Sequence, residues 1–293
     1  MTATPPHAPG LRGQAALDEL MHLLELEPLE VDLFRGTSPA ESPVRVYGGQ
    51  VAAQALVAAG RTVEPDRHVH SLHAYFIRAG DPSRPIVYRV ESIRDGRSFS
   101  TRRVLGIQGG KAIFALSASF QVRQTGLEHT VRPHAVVSGP EELASLGERE
   151  IVGEASWMDK FTRSVDIRLV DEPVWISDRE ATEEPLRAWF KAAGTLPDDP
   201  LRHVCLLTYL SDLTLLSSVV ARHDVSSTDL QMASLDHAMW FHQAFRADEW
   251  LLYECWSPAA SGGRGLAEGR FFTRDGTLIA STMQEGLVRL PRT

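Results

Sequence analysis

Leu17, Leu20, Met21 and Leu24 fall at i, i+3, i+4 and i+7, one face of an amphipathic helix that ends near Leu26. Two further stretches read as helices: Gly49–Arg61, rich in alanine, and about Leu201–Arg222, rich in leucine. Elsewhere the apolar positions gather into β-branched and aromatic runs, such as Ile86–Ile93 and Trp250–Trp256, separated by Gly, Asp and Ser clusters. Those runs are strands. Asp95-Gly96 and Asp275-Gly276 add hairpin signals. Residues 1–12, rich in Pro and Gly, are expected to form a disordered tail. Residues 123–160 mix Gly, Pro, Glu and His without a sustained period, the composition of a linker.

The pattern repeats. His70-Ser-Leu-His-Ala-Tyr-Phe-Ile-Arg78 aligns with Ser234-Leu-Asp-His-Ala-Met-Trp-Phe-His242, 164 positions later, through a shared His-Ala step and an apolar tail. Gly109-Gly110 turns into Ala112–Phe120 as Asp275-Gly276 turns into Leu278–Val288, 166 positions later. Loops absorb such a difference. Each repeat reads as a short strand, one central helix and four long strands. One helix per five strands is too few for a parallel α/β sheet. An antiparallel sheet wrapped around a single helix fits better, so the expected class is α+β with two such units in tandem. Gly48-Gly49 and the alanines 52, 53, 55, 58 and 59 would keep the first helix thin enough for a curved sheet to close on it. The expected division is an N-terminal repeat over 13–122 and a C-terminal repeat over 161–290, joined by the linker 123–160.

Composition narrows the function classes. Apolar residues make up 43% and charged residues 23% of the 293, ordinary for a globular protein. A net charge of −8 argues against a nucleic-acid binder. The longest apolar run, around Val204–Leu210, is far short of a membrane span, and the first ten residues carry neither the basic nor the apolar region of a secretory signal. The chain ends Leu290-Pro-Arg-Thr293, not Ser-Lys-Leu. Two cysteines, Cys205 and Cys255, suit a reducing compartment, and the cytoplasm is the expected location. There is no G-x-S-x-G, no phosphate-binding P-loop, no dinucleotide fingerprint and no H-E-x-x-H. His68, His70 and His73 do not share one strand face, so no metal is expected there.

Three residues stand out against this background. Asp212 lies in the nearly all-apolar Cys205–Val220; a carboxylate in a buried helix must be hydrogen-bonded or carry a raised pKa. Alternatively, Ser211-Asp212 caps a helix that begins there. Gln284 shares a strand face with Leu278, Ala280 and Thr282, and is either an inward amide or an exposed strand end. Ser234 precedes Leu235–His242 and could simply bond a neighbouring backbone group. Asp236 and His237, adjacent in a strand, point to opposite faces and cannot form a dyad.

Val46-Tyr-Gly-Gly-Gln50, His70–Arg78, Asp95-Gly-Arg-Ser-Phe-Ser-Thr-Arg-Arg103, Leu235–His242 and Ala280-Ser-Thr-Met-Gln-Glu-Gly286 resemble the acyl-CoA thioesterase II family and its double hotdog fold. The resemblance runs from about residue 15 to 290. It implies fatty acyl-CoA hydrolysis, with no cofactor or metal, by a water held between an Asp, a Thr and a Gln. Those roles fall on Asp212, Ser234 and Gln284. Serine keeps the hydroxyl but loses the methyl and its rotamer restriction. At the offsets above, the N-terminal counterparts are Gly48, His70 and Ala118, so one trio per chain is expected, with the first repeat supplying wall and structure. A backbone N–H near a helix start would serve the oxyanion, and Arg264 is a candidate phosphate partner. Alternatives are a non-catalytic acyl-CoA-binding protein and a hotdog enoyl-CoA hydratase. The latter needs an Asp and a His about five residues apart, and no histidine follows Asp212 before His223. A homo-oligomer is expected.

Overall fold

The computed structural model describes residues 11–39, 45–149, 158–173, 181–225 and 229–291. Most of the expected tail, residues 1–10, lies outside them. Helix α1 (Gln14–Leu24) buries Ala16, Leu17, Leu20, Met21 and Leu24, the face its period predicts. It leads into β1 (Glu27–Glu30), β2 (Leu33–Gly36), the central helix α2 (Gly48–Gly60) and four long strands: β3 (Arg67–Phe76), β4 (Ile86–Asp95), β5 (Phe99–Gln108) and β6 (Lys111–Val122). The second half follows the same order. A short α3 (Asp159–Thr162) precedes β7 (Val165–Leu169), β8 (Leu186–Ala192), α4 (Pro200–Ser211) and α5 (Ser217–Val220). Then come β9 (Gln231–Ser234), β10 (Asp236–Phe241), β11 (Leu251–Ser261), β12 (Arg264–Thr273) and β13 (Leu278–Arg289). Each half thus carries two short strands before its helix, one more than the sequence suggests. No helix among the described residues is long and apolar enough to cross a membrane.

The thirteen strands of the described residues form one sheet, in the order β1-β2-β4-β5-β6-β3-β10-β13-β12-β11-β8-β7, with β9 beside β13. The second half mirrors the first across an antiparallel ladder in which β3 meets β10, Ala74 opposite His237 and Leu72 opposite Met239. Turn chemistry supports the long hairpins. Gly109 and Gly110 both have positive φ (54° and 74°), as do Gly262 and Gly263 (58° and 74°), a conformation that excludes most side chains.

The strand starts fix the repeat more closely than the sequence echo does. β4 begins at 86 and β11 at 251, β5 at 99 and β12 at 264: the halves are 165 apart. The ladders then place Leu72, not His73, at the position of His237, and Val69, not His70, at that of Ser234. Ala118 remains the counterpart of Gln284. One residue of slip reverses every side chain through the sheet. His73 is accordingly exposed and packs edge-on against Trp240, while His237 is buried.

The two central helices pack against each other antiparallel. A Cβ on Gly49 would come within 2.3 Å of the Tyr209 carbonyl oxygen, and one on Gly60 within 2.6 Å of Leu201 Cδ2. The small residues of α2 therefore serve the approach of α4 as well as closure of the sheet. Asp199 caps α4, its Oδ1 accepting from Leu201 N at 3.0 Å, and Pro200 takes the first turn, where no N–H is needed. The single helix expected over 201–222 does not form. α4 stops at Ser211, a turn-rich stretch follows, and α5 starts five residues after Asp212.

The connection between the halves runs over the outer face of the second half of the sheet. Trp189 Nε1 donates to the Ser138 carbonyl at 3.0 Å, and Arg168 donates to Pro140 and Leu143. The fully buried Glu254 accepts from His134 N and from its ring. Val137 and Leu143 cover Trp189, Leu252 and Phe272 in a second, smaller core.

Candidate active site

Asp212 is the C-terminal cap of α4, one residue past its end, with φ −81° and ψ −7°, so neither the mid-helix nor the helix-start reading applies. Its position reconciles two opposed helix dipoles. The carboxylate sits at the partly negative end of α4 and directly before the partly positive head of α2, where Gly49 N donates to Oδ2 at 2.9 Å. Gly48, which the sequence echo pairs with Asp212 as its counterpart, is instead its neighbour. A Cβ there would stand 2.6 Å from Oδ2.

The three sequence candidates meet. Gln284 Nε2 donates to Asp212 Oδ1 at 2.8 Å and to Ser234 Oγ at 2.6 Å, and Ser234 Oγ donates to the same Asp212 oxygen at 3.2 Å. Ser234 ends β9, which pairs with β13 through Gly286. Asp236 secures this corner, its Oδ1 accepting from Glu285 N at 2.7 Å. Gln284 is 0% exposed. It lies behind Asp212 and Ser234, and only those two of the trio line the cavity in front.

Burial pushes the Asp212 carboxyl above the usual carboxylate range; His237 nearby and the bonds from Gln284, Ser234 and Gly49 oppose the rise without cancelling it. A carboxylate so placed is a better base than one in water.

The cavity has a volume of about 600 Å³, within the usual size of ligand sites. Its wall is largely apolar, with Val51, Phe76, Phe114, Phe161 and Leu216 among its residues. Arg45, Arg78 and Lys160 also stand in it, all exposed, and Asp212 is its one carboxylate among the described residues. That balance contrasts with the chain's net charge of −8. Arg264 is not part of the wall; its Nε pairs with Glu285 at 2.9 Å.

Two neighbours were not legible in the sequence. Tyr47, from the first half, lines the cavity and donates its hydroxyl to the Tyr209 carbonyl at 2.8 Å. His237 bonds Gln284 from behind, Nδ1 to Oε1 at 2.6 Å. The adjacent-residue rule correctly separates His237 from Asp236 but says nothing of contacts across the ladder. β10 pairs Ala238 with Met283, which leaves His237 facing Gln284 one position on.

The acyl-CoA thioesterase family model matches residues 162–287, and that of the acyl-CoA thioesterase N-terminal domain matches 37–121. Acyl-coenzyme A thioesterase 8 of Mus musculus is 40% identical over 291 residues, covering 92% of this chain and 88% of its own length. The chain belongs to the acyl-CoA thioesterase family. Acyl-CoA thioesterase 2 of Haemophilus influenzae is 36% identical, over 93% of this chain and 98% of its own. The solved acyl-CoA thioesterase II of Mycobacterium marinum is 44% identical, with a TM-score of 0.79 over 93% of this chain and 98% of its own. A hot-dog-fold protein of Alicyclobacillus acidocaldarius, 20% identical with a TM-score of 0.74 over 94% of this chain and 99% of its own, shares the fold. The thioesterase is therefore a double hotdog hydrolase, and the cavity at the α2–α4 junction is where its chemistry is to be sought.

Proposed function

We propose that Asp212, Ser234 and Gln284 perform the hydrolysis of fatty acyl-CoA in the cavity between α2 and α4. One observation carries this reading: a buried amide holds a carboxylate and a hydroxyl side by side at the edge of an apolar cavity. Asp212 and Ser234 hold a water on the cavity side, and Gln284 fixes both from behind. Asp212 takes a proton as the water oxygen bonds to the thioester carbonyl carbon. Gly48 lines the cavity at the head of α2, where unshared helix N–H groups gather, and the oxyanion is assigned to that head. The intermediate then loses the thiolate, whose conjugate thiol has a pKa of about 8.5 and needs no strong acid to depart. The C–S bond breaks, the proton held by Asp212 passes to the sulfur, and fatty acid and CoA leave.

The acyl chain fits the apolar wall, and the phosphates of CoA fit Arg45, Arg78 and Lys160. A hydratase would need a histidine facing the substrate; His237 is 1% exposed and lies behind Gln284.

The test is thiol release from a panel of acyl-CoAs. Asp212→Asn is expected to lose about 10²–10⁴-fold in kcat, the usual worth of a positioned base. Activity within a factor of a few of the unmodified enzyme defeats the assignment. We further propose that repeats 13–122 and 161–290, with 123–160 between them, fold as one unit, which the continuous β3–β10 ladder supports. A cytoplasmic homo-oligomer completes the proposal. Both cysteines are free, and Val31 in the β1–β2 turn and Ile93 on β4 present apolar surface. Light scattering measures the assembly.

A further inference from the structure

We propose that His237 is a positioning residue of the hydrolytic site, holding the Gln284 amide in the one orientation that serves Asp212 and Ser234. This rests on the site reading above. A primary amide has nearly the same shape after a half-turn, but its donor and acceptor ends change places. Asp212 Oδ1 and Ser234 Oγ, at 2.8 and 2.6 Å, need the donor end. After a half-turn, Oε1 would face the carboxylate, acceptor against acceptor. The partner on the far side of the amide decides between the two, and that partner is His237 Nδ1, 2.6 Å from Oε1.

The imidazole is itself held. Its Nε2 lies 2.8 Å from Ser211 Oγ, which also lies 2.9 Å from the Thr208 carbonyl. Ser211 can donate to Nε2 of a neutral ring. It can equally accept from Nε2–H of a charged ring and donate to Thr208. In both states Nδ1 keeps its proton for Gln284. Tyr253 fixes Ser211 in turn, donating its hydroxyl to the Ser211 carbonyl at 3.0 Å. Reversing the neutral tautomer would reverse the whole chain of bonds and turn the amide oxygen onto Asp212, so the carboxylate charge sets the direction. The two charged groups near the ring, Asp212 and Asp236, favour its protonation, while burial disfavours it more strongly. None of this reaches the cavity, because His237 is not part of the wall. It acts through Gln284. In the first half the corresponding pair, opposite each other across the ladder, is Leu72 and Ala118, which hold nothing polar in place.

The experiment compares His237→Leu with His237→Asn, each in the native and the Gln284→Ala background, by steady-state thiol release from an acyl-CoA. Leucine fills the space without a donor; the asparagine amide nitrogen takes the place of Nδ1. We expect His237→Leu to lose about 10- to 100-fold in kcat, the scale of a misplaced catalytic group. Its KM should stay within about threefold, because ground-state binding is untouched. Asparagine should recover most of the loss. In the Gln284→Ala background leucine should cost less than about twofold more, since the group it orients is gone. Equal activity of the Leu and Asn variants, or an equal loss in both backgrounds, overturns the proposal. If His237→Leu does not fold, His237→Gln replaces it. Its amide nitrogen reaches toward Ser211 rather than Gln284, so it should match the loss set for leucine, and native activity in it overturns the proposal. Full activity in Gln284→Ala alone would instead refute the site reading.

Discussion

The connection that follows each central helix separates the two halves most clearly. After α2, six residues (61–66) lead into β3; after α4, nineteen (212–230) lead into β9. β4, β5 and β6 begin 165, 165 and 167 residues before β11, β12 and β13, so the thirteen additional residues fall in this one crossing. Asp212 opens it. Leu213, Leu216, Ser217 and Val220, farther along, line the cavity. The first half has neither the carboxylate nor the length to carry one. In exchange it brings the head of α2 against Asp212, with the Gly49 N–H on one oxygen and Tyr47 alongside. On the proposed reading, two copies of one scaffold divide a site between them, one supplying the reactive groups and the other the helix end that steadies their charge.

The sharpest way to break this division is to disturb the quiet half. Gly49→Ala would place a Cβ 2.3 Å from the Tyr209 carbonyl oxygen, and backbone cannot swing aside. Forcing α2 from α4 should cost about 1–3 kcal/mol, as overpacking does. It should also lower kcat at least tenfold by withdrawing the Gly49 N–H from Asp212. Denaturant melts and thiol release measure the two effects; full activity would mean that the first half is only a wall. A smaller effect is expected at the cations of that half. Arg45→Ala and Arg78→Ala should each raise KM for acyl-CoA about three- to tenfold, the worth of one charge-assisted contact. KM for an acyl-pantetheine without phosphates should not move. Equal shifts on both substrates would remove these arginines from phosphate recognition.

The pH profile tests the charge balance at Asp212. In the proposed mechanism the ionised form of Asp212 is the base, so kcat should fall as pH drops through its pKa. Because burial raises that pKa, the acid limb should lie above the value of about 3.9 for a free Asp. Ser234→Ala removes one bond that favours the ionised form and should move the limb further up; a limb at the free-Asp value would deny the burial effect. The smallest change is Ser234→Thr. Restoring the methyl narrows the choice of rotamer, and kcat should change by less than about threefold. A larger gain would show that the hydroxyl of Ser234 is poorly held.

Much of this plan is legible in the sequence, and its failures share a cause. The period of α1, the alanines of α2 and the β-branched runs specify elements through local pattern, and they appear where that pattern puts them. Asp212 and Gln284 announce themselves as polar residues in apolar runs. The helix break after Ser211 is invisible because Leu213 and Leu215 stay buried outside any helix, so apolar continuity persists where the backbone turns. The His-Ala echo misleads for a related reason. It matches residue types, whereas the sheet matches faces, and an offset wrong by one exchanges a buried histidine for an exposed one. Gly49, Tyr47 and His237 join the site only through contacts between distant segments, which no local pattern records.

The central β3–β10 ladder also has a consequence for how the chain is made. β3 is complete about 160 residues before β10 leaves the ribosome. Throughout that interval the newborn first repeat has an open edge strand and a bare glycine–alanine helix face, the features that invite strands to pair with the wrong neighbour. Since the halves share one ladder geometry, the β3 of a second nascent chain is the nearest imitation of β10. Fidelity of assembly therefore depends on the second repeat arriving in cis before a neighbouring polypeptide arrives in trans.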